Sequence, residues 1–131
     1  MITAFTSDEE FDYQGLYRDF IERETDATGT VVLHHGMVKR PGKQIPDFSN
    51  VSLRALADDP DAKLIELAET SRNKFNLNQV LIVHRLGNVN AGDSVLLAIV
   101  SSDTRDRSFA ACSWIVDEIK WEEFIELKEN R

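Results

Sequence analysis

The sequence predicts an α+β fold, a two-layer α/β sandwich whose sheet is mixed or antiparallel. Patterns typical of helices and strands follow one another as α, β, β, α, β, β, α, without the strict alternation of a doubly wound parallel sheet. The two clearest strands, Gln79–Arg85 and Ser94–Ser101, are too apolar to be exposed on either face. No repeat or linker divides the 131 residues, so residues 1–131 are expected to form a single domain.

The first half of the chain predicts a helix, a strand and a long loop. Residues 7–24 begin with Ser7-Asp8-Glu9-Glu10, a capping-box pattern, and continue with apolar side chains at helical spacing. The segment Thr30–Val38 is rich in β-branched residues and predicts a strand. The loop that follows, from residue 39 to about residue 50, is too long for a tight hairpin, which favours a functional or a mobile loop.

The second half predicts a short strand at 51–56 and then two helices that enclose the two apolar strands. Asp58-Asp59-Pro60 offers an N-cap followed by proline at the first position of a helix that runs to about residue 75. Glycines mark turns in the LGNVNAGD segment between the two apolar strands. The last helix is expected to begin near Asp103-Thr104. The charged residues 121–131 are predicted to form a peripheral segment.

The charge of the chain is acidic overall but unevenly distributed. Fifteen Lys and Arg oppose 23 Asp and Glu, giving a net charge of −8, which disfavours nucleic acid as a partner. One basic island, Lys39, Arg40 and Lys43 around Pro41 and Gly42, stands in this acidic background. It is a local site for a phosphate or carboxylate, or alternatively a solvated loop.

Several classes of protein are disfavoured by features that the sequence lacks. No run approaches the roughly 20 apolar residues of a membrane span, and the first dozen residues are acidic, so we expect neither a membrane protein nor a secretory signal. A cytoplasmic location is therefore expected. A single cysteine, Cys112, excludes an intrachain disulfide framework and a Cys-rich zinc site, and its place on an apolar helix stripe predicts an inert thiol.

The histidines and the known catalytic motifs give little support for a metal site or for common hydrolases. His34 and His35 are adjacent on a predicted strand, so their side chains point to opposite faces and cannot easily share a metal; no metal is expected. His84 is expected to be buried and hydrogen-bonded. No GxSxG, HExxH, Walker A, GxGxxG or EF-hand pattern is present. What remains is a set of scattered cationic side chains that could converge on an anion: Lys39, Arg40, Lys43, Arg85, Arg105, Arg107, Lys120 and Lys128.

Residues 83–120 resemble the large, catalytic subunit of molybdopterin synthase. The family reads roughly I-H-R-x-G, P-G-D, S-x-H-R, F-x-A and a closing Leu-Lys. The corresponding segments here are Val83-His84-Arg85-Leu86-Gly87, Ala91-Gly92-Asp93, Ser102-Asp103-Thr104-Arg105, Phe109-Ala110-Ala111 and Ile119-Lys120. Upstream, Val31–Lys39 is similar to a family strand that ends F-x-G-x-V-R, and the resemblance extends over about residues 28–120.

The chain departs from the family pattern where that family keeps its chemistry. Thr104 stands in place of histidine, His34 in place of phenylalanine, and Lys39, followed by Arg40, in place of arginine. A family segment that bears tyrosine and glutamate becomes Leu53-Arg54-Ala55-Leu56. Beyond the closing lysine, the family's P-x-W-K-x-E motif is altered, and Lys128 is offset by one residue.

The resemblance implies a fold of the molybdopterin synthase large-subunit type, also called the α/β hammerhead type, and a role in molybdenum cofactor biosynthesis. In that family the large subunit is a homodimer, and each protomer binds a small ubiquitin-like sulfur carrier whose C-terminal Gly-Gly tail bears a thiocarboxylate. Sulfur passes to a cyclic pyranopterin monophosphate to form a dithiolene, and no cofactor is permanently bound.

The resemblance also implies roles for individual residues. Lys120 is the expected catalytic lysine, with Lys128 as a second one. Lys39 or Arg40, together with Arg105, is expected to bind substrate anions, with Arg105 supplied either by the same protomer or by its partner. The alternative is a non-catalytic paralogue of the same fold that acts as a binding or scaffold protein. A generic anion-binding α+β domain would explain the basic island but not the pattern in residues 83–120.

Overall fold

A computed structural model describes residues 1–122 and 124–131, except for the side chains of residues 121 and 122. The described residues form seven strands and three helices. In chain order these are β1 (Ile2–Ser7), α1 (Tyr13–Glu22), β2 (Thr30–Met37), β3 (Asn50–Ala55), α2 (Pro60–Phe75), β4 (Gln79–Arg85), β5 (Gly87–Val89), β6 (Ser94–Ser102), α3 (Arg105–Glu122) and β7 (Ile125–Asn130). Within these residues, no helix is long and apolar enough to cross a bilayer.

The larger sheet is mixed and has the strand order β1-β4-β6-β2. Strand β1 runs parallel to β4, whereas β6 pairs antiparallel with both β4 and β2. Side chains of β4 and β6 alternate between two apolar clusters, one against α2 and α3 and the other against Phe20 of α1. Helices therefore cover both faces of the central strands, which explains why these strands read as continuous apolar runs. The predicted α+β class with a mixed sheet is confirmed, whereas the predicted two-layer arrangement is not, because helices lie on both faces of the central strands.

The smaller sheet is antiparallel and has the order β5-β3-β7. Its core consists of Val38, Phe48, Val51, Leu53 and Val89. Val95 and Ile125 pack against this core and against the large cluster under α2 and α3. The two sheets therefore adjoin at these side chains, and the basic loop between β2 and β3 lies beside the junction.

Helix α2 begins and ends as the sequence predicts. The carboxylate of Asp59 accepts a hydrogen bond from the backbone N–H of Ala62 at 3.1 Å, and Pro60 opens the first turn. The helix ends at Asn76, which has the left-handed conformation with φ of 55°. Asparagine tolerates this conformation better than most residues, so the local sequence accounts for both ends.

The predicted start of the first helix is wrong. Residues 2–7 form the edge strand β1, and α1 begins only at Tyr13, where the Asp12 carboxylate caps the N–H of Gly15 at 3.1 Å. The hydroxyl of Ser7 instead donates to the carbonyl of Glu9 at 2.7 Å, within the connecting segment. The capping-box pattern was therefore misleading, because it falls across the end of a strand.

Two further strands were missed from the sequence. Strand β5 falls within the segment that was predicted as a turn, and β7 falls within the charged segment that was predicted to be peripheral. Both pair with β3 and complete the smaller sheet. This second sheet forms one wall of the candidate site.

Candidate active site

A cavity of about 330 Å³ lies where β2, the C-terminal end of α3 and the smaller sheet meet. Most of its walls are aliphatic, and its polar side chains are two histidines and one lysine, Lys120. The lining residues are His34, Gly36, Met37, Leu53, His84, Val95, Leu96, Val116, Ile119, Lys120, Ile125 and Leu127. Lys120 is exposed, so its ammonium group is available at the cavity mouth.

A second cavity, of about 170 Å³, adjoins the first on the side of the basic loop. Met37, Val95 and Leu127 line both cavities, so we treat the two as one cleft. Lys39 and Lys43 line the second cavity, and Lys120 lines the first. The cleft therefore has an apolar floor with cationic side chains toward both ends, which suits an extended ligand that carries negative charge.

The carboxylate of Glu129 fixes the loop that carries these lysines. It accepts hydrogen bonds from the backbone N–H groups of Lys43 at 3.1 Å, Gln44 at 2.8 Å and Ile45 at 2.7 Å. The same three bonds, the one to Ile45 above all, lower the pKa of the Glu129 carboxyl although partial desolvation raises it. A Cβ added at Gly42 would collide with this carboxylate, so glycine permits the close approach.

The side chain of Gln44 reinforces this attachment through the backbone of β7. Its amide Nε2 donates to the carbonyl of Leu127 at 3.2 Å, and its Oε1 accepts from the N–H of Glu129 at 3.0 Å. The loop is thus joined to the edge of the smaller sheet by five hydrogen bonds between residues at least 83 positions apart. The loop therefore forms a wall of the cleft that these hydrogen bonds fix in position.

The structure brings together only some of the cations that the sequence singled out. Lys39 and Lys120 line the cleft, whereas the guanidinium of Arg40 lies over the ring of Phe48, 5.1 Å from its centroid. Arg105 opens α3 and Lys120 lies near its other end, so fifteen residues of helix, roughly 22 Å, separate them. Within one protomer these two residues therefore face different places.

Lys128 lies on β7 between Leu127 and Glu129, which both line the cleft. Because successive side chains of a strand point to opposite faces, Lys128 lies on the face turned away from the cleft. The side chain that occupies the corresponding place in the cleft is Leu127. The one-residue offset noted in the sequence thus has a direct geometric consequence.

The histidines are placed as the strand pattern predicts. His34 lines the cleft, whereas His35 faces the other side of β2, where its Nε2 lies 2.6 Å from the hydroxyl of Ser94. His84 is buried and its Nδ1 lies 2.9 Å from the carbonyl of Arg85. Burial lowers the pKa of His84, and the bond to the Arg85 carbonyl offsets this only in part. No group of three or more potential metal ligands occurs in the part of the chain that the structure describes.

Cys112 is buried beneath the sheet, as its position on the apolar stripe of α3 predicts. Its Sγ lies 3.9 Å from the carbonyl of Ala98. Burial raises the pKa of the thiol from 9.0 to about 11, although the backbone of His34 partly opposes this. The sulfur is therefore an un-ionised thiol at neutral pH and a poor nucleophile.

Sequence reasoning missed Glu129 and Leu127 as site residues. Both lie in a segment whose composition indicates a solvated terminus, and their position depends on the pairing of β7 with β3. The only local signal is the alternation Ile125, Leu127 against Glu126, Lys128, which is typical of a half-buried strand. That alternation places Glu129 on the buried face.

Fold and cleft together define a class: an α+β domain whose apolar cleft holds lysines toward both ends. Residues 6–122 match the family model described as "MoaE protein", and the chain belongs to this family.

Curated relatives and solved structures agree with this assignment. The molybdopterin synthase catalytic subunit of Nostoc sp. is 31% identical over 112 residues, which cover 82% of this chain and 65% of that protein. The catalytic subunit of Pyrococcus abyssi is 30% identical over 102 residues, covering 73% and 64%. The crystal structure of molybdopterin synthase from Staphylococcus aureus matches with a TM-score of 0.82 at 25% identity, covering 96% of this chain and 89% of that chain.

The fold is shared even where the sequences have diverged further. A complex of subunits 1 and 2 of molybdopterin-converting factor from Helicobacter pylori contains a chain that matches with a TM-score of 0.76 at 16% identity, covering 98% of this chain and 83% of that one. The alignments with the first four curated relatives span between 40 and 64% of the length of those proteins.

Proposed function

We propose that this chain is a molybdopterin synthase-type sulfurtransferase, the catalytic subunit that moves sulfur from a thiocarboxylated small subunit to cyclic pyranopterin monophosphate. The observation that carries the proposal is the cleft itself, in which Lys120 faces an apolar floor that leads to Lys39 and Lys43. Family membership supports the reaction, and lysines toward both ends of the cleft support the binding of two anionic groups.

Each cation has a distinct task in this proposal. Lys120 exchanges a proton or stabilises the negative charge that develops during sulfur transfer. Lys39 binds the substrate phosphate from the loop that Glu129 holds. Arg40 contributes positive potential at the rim, since its guanidinium lies on Phe48. Arg105 acts in the site of the partner protomer, because it lies roughly 22 Å along α3 from Lys120 of its own chain.

The proposed partners are those that family membership suggests, and the lysines of the cleft support them. A small ubiquitin-like carrier with a C-terminal Gly-Gly tail is the donor, and its extended tail enters the cleft beside the Lys39–Lys43 loop. Two glycines suit a narrow apolar channel because they bring no side chains. The protein acts as a homodimer, and no cofactor is permanently bound because sulfur arrives on the carrier. A cytoplasmic location stays a prediction.

One observation favours a second candidate function, a non-catalytic paralogue that binds the same partners as a scaffold. The lysine that resemblance offers as a second catalytic residue, Lys128, faces away from the cleft, and the apolar Leu127 takes its place. If the reaction requires two lysines, this chain holds the ligands but does not turn them over.

The test is reconstitution of the protein with a thiocarboxylated small subunit and cyclic pyranopterin monophosphate, with dithiolene formation as the readout. Lys120→Ala should reduce turnover by about 10²- to 10⁴-fold without affecting folding. Lys120→Arg should rescue poorly, because arginine keeps the charge but does not readily release a proton.

Lys128→Ala is the matched control, and it should lose little activity because its side chain lies outside the cleft. Near-wild-type turnover by Lys120→Ala would remove the catalytic assignment of Lys120. An inactive wild-type protein that still binds both partners would favour the scaffold function.

A further inference from the structure

The imidazole of His34 occupies a specific place in the cleft. His34 pairs with Ala98 of β6, and its side chain lies on the face of the larger sheet that α3 covers. Two residues further along the same face, Gly36 has no side chain, and a Cβ added there would be 3.2 Å from His34 Nε2. The ring therefore lies along the strand over Gly36, and its Nε2 borders the cavity.

The hydrogen bonding of the His34 ring differs from that of the other two histidine rings. His35 Nε2 lies 2.6 Å from Ser94 Oγ, and His84 Nδ1 lies 2.9 Å from a backbone carbonyl. His34 has no hydrogen-bond partner among the residues that the structure describes. A half-buried ring nitrogen in a cavity then has water or a ligand as its partner.

The surroundings of His34 keep its ring uncharged at neutral pH. Burial lowers the pKa of His34, and the neighbouring His35 lowers it further. The described side chains that β3 and β7 contribute to this cavity are leucines and an isoleucine. The titratable groups that face His34 from the other packed elements are Lys120 and Cys112 of α3 and His84 of β4. None of these is an anion at neutral pH that would stabilise an imidazolium.

We propose that His34 is a substrate-binding residue. Its imidazole forms a hydrogen bond with an uncharged polar group of the same ligand that Lys120 faces. The inference rests on the proposed function, and it assigns protein side chains to each of the two ends of the proposed substrate. Lysines hold its phosphate, and the imidazole Nε2, as the acceptor nitrogen, receives a hydrogen bond from an N–H group of the pterin ring. Because resemblance gives phenylalanine at this position, the contact distinguishes this chain from its family pattern.

The experiment measures binding of cyclic pyranopterin monophosphate, and of inorganic phosphate as a separate probe, by titration calorimetry. His34→Phe keeps a ring but removes both ring nitrogens, and it should weaken binding of the pterin about three- to tenfold. His34→Gln should restore part of the loss, since its amide reaches a position similar to that of Nε2. His35→Phe is the matched control on the opposite face and should leave affinity unchanged.

Inorganic phosphate, used as a probe on its own, distinguishes an uncharged hydrogen-bonding role of His34 from a cationic one. Inorganic phosphate should bind wild type and His34→Phe equally, because the uncharged ring makes no ion pair. In the wild type, pterin affinity should fall as the pH drops through the lowered pKa of His34, because an imidazolium cannot accept a hydrogen bond. This step should vanish in His34→Phe, whereas a step that belongs to His84 would persist.

The outcomes are distinguishable. Equal pterin binding by wild type and His34→Phe would overturn the inference and leave the proposed function intact. Weaker phosphate binding by His34→Phe, or binding by the wild type that strengthens on acidification, would show that His34 acts as a cation and would also overturn it. A wild-type protein that binds no pterin would overturn both the inference and the proposed function.

Discussion

Removing the carboxylate of Glu129 should release the basic loop while the rest of the fold stays in place. The carboxylate receives the backbone N–H groups of three consecutive loop residues, Lys43 to Ile45. Glu129→Ala removes all three bonds. The side chain is 8% exposed, so the lost bonds are not replaced without opening the loop to water.

The structure predicts a graded effect between two substitutions. In Glu129→Gln one oxygen remains and can accept from Gln44 and Ile45, which both bond the same oxygen, Oε1. The amide nitrogen then faces the N–H of Lys43 and cannot accept from it. Glutamine should therefore lose one bond of three and alanine all three. Opening of the loop should rise on the order of tenfold or more in the alanine variant and by less in the glutamine variant.

Limited trypsin digestion measures this opening, because the loop itself carries a cleavage site after Lys43. When loop opening is fast relative to cleavage, the rate follows the population of the open form. The control is Glu126→Ala on the same strand, where the lost partner is Arg54 at 3.1 Å on the exposed face. Cleavage after Lys43 at the wild-type rate in Glu129→Ala would refute the reasoning, as would equal acceleration in Glu126→Ala.

The same attachment should depend on pH in a defined direction. The pKa of the Glu129 carboxyl in the folded protein lies below its ordinary value of 4.5. Its stabilisation of the loop is therefore fully present above that ordinary value and is lost as the pH falls through the lower folded-state value. Amide exchange at Lys43, Gln44 and Ile45 should lose its protection in this acidic range. Protection that is independent of pH there would contradict the assignment.

Two further predictions concern the thiol and the oligomeric state. At pH 8 the thiolate fraction of Cys112 should be about 100-fold smaller than that of a thiol with a pKa of 9.0, because its own pKa is about 11. Labelling by a disulfide reagent should therefore be slow, and burial of the side chain should slow it further; labelling at the rate of a free thiol would contradict this. If Arg105 completes the proposed site of a second protomer, light scattering should give twice the monomer mass; a monomer throughout the micromolar range would contradict the shared site.

The central strands and α2 could be predicted from the sequence because their signals are local. Every residue of Gln79–Arg85 is buried, and a strand covered on both faces must be apolar at successive positions. The N-cap and proline of α2 are adjacent in the chain, so their geometry needs no distant partner. In these segments the propensity, the pattern and the tertiary environment agree.

Strand β1 could not be predicted because its determinants lie far away in the chain. Its backbone pairs with β4, and both the N–H and the hydroxyl of Thr6 donate to the Asp61 carboxylate in the first turn of α2, at 2.7 and 2.6 Å. No pattern within the first dozen residues indicates that β4 and Asp61 are the partners of β1. The local pattern Ser7-Asp8-Glu9-Glu10 satisfies a helix-start rule, but tertiary pairing overrides it.

The candidate site was predicted in part for the same reason. Lys120 was found because it closes a motif of fixed spacing within one helix, and Lys39 because it belongs to a compact basic segment. Glu129 could not be identified as a site residue from the sequence, because a glutamate in a charged terminal segment is expected to be solvated. Its burial becomes favourable only when three N–H groups from a loop more than 80 residues away surround it.

The register of β7 decides which of its side chains enters the cleft, and this register is set by the pairing with β3. Leu127 pairs with Leu53, and Lys128 pairs with Ser52. A slip of one residue would exchange the two faces and bring Lys128 toward the cleft. The same slip would turn Glu129 away from its three loop donors and expose Ile125, so the observed register is strongly favoured. In the proposed reaction Lys120 therefore acts without help from Lys128, and a substitution of Lys120 has no lysine of β7 in the cleft to compensate for it.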